Sequence, residues 1–208
     1  LCWHKGALLM LVLLALLVAC NPDPGEVSEQ VGYRSTLEGP DSGERGNIII
    51  SEVLWSGTIR GSGDDRVWDP TDIFIEIRNQ GSRPVDLTDW RLEQDGTIHK
   101  SWSFPPLDRK IEVGEHAYIA TRAQGCLLEP DWIIEDLVLP NGDPFRLTLR
   151  DPDERLIEGG GSKDHRPFAG GYDLVVSRSM ERIELMFGGR GTEPHMWHSY
   201  TPTEVEVP

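Results

Sequence analysis

Asp72-Ile-Phe-Ile-Glu-Ile-Arg-Asn79, Gln80-Gly-Ser-Arg-Pro84 and Val85-Asp-Leu-Thr-Asp-Trp-Arg-Leu92 follow one another without a break, and their reading decides the fold. In an extended chain Ile73, Ile75 and Ile77 share one face, while Phe74, Glu76 and Arg78 share the other. Gly81 and Pro84 turn the chain. After the turn Val85 and Leu87 share a face, and Trp90 and Leu92 then switch phase, as a bulge at Thr88 and Asp89 would produce. The expectation is a strand–turn–strand unit whose Ile75, Ile77 and Trp90 sit at the centre of a β-sandwich core.

Outward from this unit the same alternation recurs. Residues 47–55 read as a first strand, followed by a Gly- and Asp-rich loop over 56–70. Residues 97–104, 110–113 and 115–121 read as further strands, Pro105-Pro106 breaks the path between the first two, and 132–139 is apolar but broken by Glu135-Asp136. Residues 144–150 and 155–157 flank Asp151-Pro-Asp-Glu154 as a hairpin, after which 159–172 reads as a loose late loop. Short strands at intervals of roughly 8–12 residues, separated by turn signals, are what an all-β sandwich writes into sequence. Residues 47–203 are expected to form one domain, large enough to bury roughly two thirds of its unfolded surface, and 204–208 a C-terminal tail.

The first twenty residues give an address. Gly6 to Ala19 is apolar, shorter than the roughly 20 residues of a bilayer-spanning helix and suited to the apolar region of a secretory signal. Leu17-Val-Ala-Cys20 resembles the bacterial lipoprotein signal. That resemblance implies that 1–19 is a helical signal peptide cleaved before Cys20, and that Cys20 carries acyl chains such as palmitate. Several chains hold a protein on a membrane where one anchors only marginally. Residues 20–46, with Asn21-Pro-Asp-Pro-Gly and a second Gly- and Asp-rich run, have too few apolar side chains to offset chain entropy and read as a disordered, acidic tether. Asn21 stands where some lipoproteins carry an inner-membrane-retaining Asp, so the resemblance favours an outer-membrane destination in a Gram-negative envelope.

The chain carries 20 basic and 35 acidic residues, a net charge of −15. No basic patch exists to displace counterions, which excludes nucleic acid as the expected partner. With Cys2 in the signal and Cys20 lipidated, Cys126 stands alone, so no internal disulfide is expected.

Ile50-Ser-Glu-Val53, Asp72 to Asn79 and Pro84 to Leu92 resemble the opening of the lamin-tail domain, an immunoglobulin-like sandwich. Val113-Gly-Glu-His-Ala-Tyr-Ile119, Asn141-Gly-Asp143 with Leu147 and Leu149, Ser179-Met-Glu-Arg182 and Thr201-Pro202 are similar to later pieces of the family. The position before Trp90 is commonly glycine in that family and is Asp89 here; Thr203 replaces another usual glycine. The family implies no catalytic residues.

Asp64, Asp65, Asp69 and Asp72 place four carboxylates in one loop, a candidate hard-cation cluster for calcium, but their spacing matches no standard calcium loop and a solvated acidic loop is preferred. His195 and His198 lack third and fourth zinc ligands nearby in sequence. Glu76 and Asp86 are the only pairing of acids suggested near the central strands, and structural hydrogen bonding is the simpler reading. No Gly-x-Ser-x-Gly elbow occurs.

The preferred function is a lipid-anchored, non-catalytic envelope protein whose sandwich binds a protein or envelope component through loops, without a cofactor. Arg66 and Trp68 in the 56–70 loop are the leading contact residues, because Arg and aromatic side chains are common interface anchors. A surface carbohydrate-binding module is the alternative, with Trp55, Trp68, Trp102, Trp132 and Trp197 as the side chains to stack on sugar. A metal-dependent hydrolase accessory domain is the weaker one.

Overall fold

The computed structural model describes residues 46–173, 175–183 and 189–200, all within the unit Asp41–Pro208. The signal, tether, Cys20 and C-terminal tail lie outside the described residues. Two sheets form the body. The first has six strands in the order β14(Trp197–Ser199), β13(Met180–Arg182), β1(Ile48–Leu54), β4(Phe74–Asn79), β7(His116–Ala120), β8(Trp132–Ile133). Its pairings are antiparallel except β7 with β8, which is parallel. The second has four antiparallel strands in the order β10(Leu156–Ser162), β9(Phe145–Arg150), β5(Arg91–Gly96), β6(Lys100–Ser103). Two short ribbons complete the pattern, β2(Thr58–Arg60) with β3(Val67–Asp69) and β11(Gly171–Tyr172) with β12(Ser177–Arg178). Among the described residues no helix is long and apolar enough to cross a membrane.

The core lies between the sheets. Ile50, Val53, Ile75, Ile77 and Ile119 from the six-stranded sheet meet Leu92, Leu147, Leu149 and Ile157 from the four-stranded one. Each such aliphatic side chain, fully withdrawn from water, contributes about 1.5–3 kcal/mol before chain entropy is counted. Trp90, 1 % exposed, packs into this layer, and Phe104 stacks on Trp132 at 4.6 Å. The two-sheet, all-β body is an immunoglobulin-like sandwich.

The unit 72–92 is not a hairpin. β4 pairs with β1 and β7, whereas β5 pairs with β6 and β9 in the opposite sheet. Both segments have an apolar face, and the chain lets those faces meet across the core by crossing between sheets. Asn79 organises the crossing: its Nδ2 donates to the carbonyls of Arg83 and Ile111, and its Oδ1 accepts from Gly81 N. Val85 then pairs with Ile111 as an isolated bridge, which is all that remains of the expected strand over 110–113. The phase switch before Trp90 is a tight turn, with Trp90 N bonded to Leu87 O and Asp89 at φ +61°.

Two other expectations are corrected, and the broken stretch 132–139 resolves into a short strand and a turn. Residues 56–70 are an ordered β2–β3 hairpin closed by a 3-10 turn over Gly63–Asp65, since Thr-Ile-Arg and Val-Trp-Asp pair despite the Gly-rich residues between them. Over 132–139 only Trp132–Ile133 is strand; the rest turns back on itself through Leu137 N to Ile134 O. The late loop begins after Ser162, because Gly159, Gly160 and Gly161 continue β10 against β9.

Candidate functional site: a hairpin end and two outer sheet faces

β2 and β3 stand on a buried carboxylate. Asp72 Oδ2 accepts from Thr58 Oγ1 at 2.7 Å and Arg60 Nη2 at 2.9 Å, with Arg122 Nη2 at 3.3 Å; its Oδ1 accepts from Cys126 N at 2.9 Å. Burial alone would raise the Asp72 carboxyl, but these donors outweigh it and hold the group far below the usual carboxylate range. Asp69 accepts from Arg122 Nη2 at 2.6 Å and from both N and Oγ1 of Thr71. So Asp69 and Asp72 are brought together on two guanidinium groups, while Asp64 and Asp65 sit apart, exposed in the 3-10 turn. Among the described residues no three His, Cys, Asp or Glu side chains converge with metal-site geometry.

The hairpin presents apolar surface. Trp68, 36 % exposed, donates Nε1–H to Ser56 O at 2.8 Å and stacks on Tyr172, with centroids 4.4 Å apart and planes 13° from parallel. Its partner Tyr172 is 45 % exposed, and Val67 in the same hairpin and Val175 in the β11–β12 turn are 65 % and 56 % exposed. The β11–β12 ribbon is fixed to the hairpin: Ser177 Oγ donates to Gly57 O and lies 3.1 Å from Ser56 Oγ. Within the ribbon Asp173 Oδ1 accepts from the N–H groups of Val175 and Val176. Arg66 is exposed at the start of β3. Sequence reasoning singled out Trp68 and Arg66 but not Tyr172, whose partner lies in a different region of the chain.

The outer face of the six-stranded sheet carries a row of polar cross-strand partners, His198, Glu181, Glu52, Glu76 and Tyr118, one per strand. Glu52 joins the row because β1 bulges at Ser51, which turns Glu52 outward and Val53 inward. Ser179 Oγ donates to Glu52, Ser51 Oγ donates to Glu76 at 2.6 Å, and His116 Nδ1 lies 3.2 Å from Glu76 Oε2. Burial raises the Glu52 carboxyl, Ser179 offsets this in part, and the charges of Glu76 and Glu181 raise it further. Burial and the charge of Glu76 push the Tyr118 hydroxyl up to about 12.

Glu76 and Asp86 are not a pair; Asp86 Oδ1 caps the turn by accepting from Thr88 N. His195 and His198 flank Met196–Trp197 and reach different acids, Glu193 and Glu181. The half-buried Cys126 thiol is pushed up to about 12 by burial and the Asp72 carboxylate, which removes the thiolate needed for reactivity. Trp55, Trp132 and Trp197 are buried, with their N–H groups on the carbonyls of Ala169, Pro105 and Gly191. Half-buried Trp102 donates to Asp136 Oδ1.

Fold and comparison agree. A family model described as Lamin Tail Domain matches residues 42–161, more than half of the chain, and the chain belongs to that family of non-enzymatic, immunoglobulin-like domains. The match ends within β10, so the Tyr172 ribbon, β13 and β14 lie beyond it. Comparison with curated proteins gave no match.

Proposed function

We propose that this protein is a lipid-anchored, non-catalytic module that binds a protein component of the cell envelope through the β2–β3 hairpin and the β11–β12 ribbon. The observation that carries the reading is the exposed, stacked Trp68–Tyr172 pair, on a hairpin tied at its base to the Asp72 cluster. Aromatic anchors supply large contact area for little side-chain entropy, and a pre-ordered pair loses less on binding than a mobile loop. Among the described residues the stacked pair and Tyr200, 43 % exposed, are the exposed aromatic side chains, not a row of tryptophan platforms, which supports protein over sugar at this end.

The anchor is proposed from Leu17-Val-Ala-Cys20 and the tether from 20–46, placing the domain at a membrane surface, the outer membrane where a cell has two. The test combines both halves. Wild-type cells should incorporate a labelled fatty acid into the protein, and Cys20→Ser cells should not. Crosslinked capture of a single envelope protein by the full chain should be lost in Trp68→Ala with Tyr172→Ala while the melting temperature changes little. Capture unaltered in a folded double variant overturns the binding surface; absence of label in the wild type overturns the anchor.

A further inference from the structure

The outer face of the four-stranded sheet holds a cleft of about 610 Å³, in the range of small-ligand sites. Cross-strand registers order this face in rows, Arg91 with Arg150, then Ser101, Glu93, Thr148 and Gly159, then Asp95, Arg146 and Gly161, and of these Glu93, Asp95, Ser101, Arg146, Thr148 and Arg150 line the cleft. Most charges on this face are matched. Arg91 Nη2 and Arg150 Nε donate to Glu93 at 2.7 and 2.8 Å, and Arg91 also reaches Glu154. Asp95 Oδ1 lies 2.7 Å from His99 Nδ1 rather than on its direct cross-strand partner Arg146.

Arg146 is the exception. It has no carboxylate partner among the described residues, and its Nε is covered without a hydrogen bond. The guanidinium lies across Gly159, where an added Cβ would come within 3.5 Å of its Nη2 and 3.2 Å of Thr192 Cγ2. A guanidinium stays charged at any physiological pH, so the cleft offers one unmatched cation in a chain with 35 acidic and 20 basic residues. Around it stand the hydroxyls of Ser101 and Thr148 and the carboxylates of Glu93 and Asp95, with Leu156 the only apolar side chain of the lining among the described residues.

We propose that this cleft binds an acidic saccharide, with Arg146 taking the sugar carboxylate and Glu93, Asp95, Ser101 and Thr148 bonding to ring hydroxyls. The charge count selects that class. A single unmatched guanidinium suits one carboxylate, and a planar bidentate pair is its preferred geometry. Phosphate or a run of acidic side chains would meet Glu93 and Asp95 as repulsion, whereas a sugar hydroxyl can donate to both. The lining has no apolar recess for a peptide side chain. This site is on a different face from the hairpin end and is independent of the protein-binding reading.

Titration calorimetry of the full chain with galacturonate, which carries one carboxylate, neutral galactose and triglutamate tests it. Galacturonate should bind and the other two should not; Arg146→Ala should weaken binding about ten-fold or more, with partial recovery in Arg146→Lys. Ser101→Asp, on the exposed face of edge strand β6, should repel the carboxylate without altering the melting temperature. No binding of galacturonate, equal binding of galactose, or affinity unchanged in the folded Arg146 and Ser101 variants overturns the proposal. Triglutamate binding in place of the sugar overturns it in favour of a peptide site.

Discussion

Arg182 Nη1 lies 2.9 Å from Glu158 Oε1, and the pair, nearly free of solvent, joins β13 of one sheet to β10 of the other. Arg182 also donates to Gly189 O and packs 5.3 Å from the Trp197 ring centre. The Arg of the Ser179-x-x-Arg182 signature thus clips a segment beyond the family match to the last strand within it. Arg182→Met leaves a buried carboxylate alone and should cost about 3–5 kcal/mol in urea unfolding. Adding Glu158→Leu should recover much of that loss; no recovery would mean the clip works through packing on Trp197 alone.

Asp89 sits at φ +61°, a region costing a non-glycine residue about 1–2 kcal/mol. Asp tolerates it better than most, so Asp89→Gly should stabilise by about 0.5 kcal/mol, whereas the β-branched Asp89→Val should destabilise by more than 1 kcal/mol, roughly. Thermal melts of both variants check the sign, and a stabilising valine would show that the turn relaxes.

Glu52 has a folded-state carboxyl raised above its ordinary value. The folded protein therefore holds a proton there that the unfolded chain has released, and stability falls as pH rises from the unfolded value of about 4.5 through the raised folded one. Glu52→Gln should be more stable than wild type at pH 7, and the difference should shrink on acidification. A difference that grows toward pH 4 would contradict the like-charge row Glu181–Glu52–Glu76.

Asp72 behaves oppositely. Its lowered folded value means that its contribution is present above the unfolded value of about 3.8 and is lost as pH falls toward the folded one. Asp72→Asn should destabilise by about 2–3 kcal/mol at pH 7, because Arg60, Arg122 and Cys126 N lose a charged acceptor. The gap to wild type should narrow below pH 4. Cys126 should also alkylate faster in the variant, since the carboxylate that opposes its thiolate is gone.

What the sequence made legible follows from what periodicity can carry. Alternation at Ile73, Ile75 and Ile77 assigns those residues to one face of β4, but a period of two is silent about which strand lies alongside, and β5 went to the other sheet. The bulge at Ser51 was hidden because Ile48, Ile49 and Ile50 are all buried and apolar, leaving no phase to break. Three-residue strands such as β2 and β3 are too short to alternate visibly beside the Gly61-Ser62-Gly63 run. Proximity in sequence also misled: Asp64 and Asp65 lie at the hairpin's tip while Asp69 and Asp72 lie at its base. Arg146 carried no signal at all, since its isolation is set by what Asp95 and Glu93 bond to elsewhere.

Trp68 rests on Tyr172, and those two rings come from the first hairpin and from the segment after the family-matched stretch. A nascent chain that has released β1 to β10 already has both sheets' central strands, yet it cannot display this epitope. An antibody against the stacked rings would therefore count only chains whose late segment has docked, and would distinguish a finished molecule from a proteolytic fragment that still melts cooperatively.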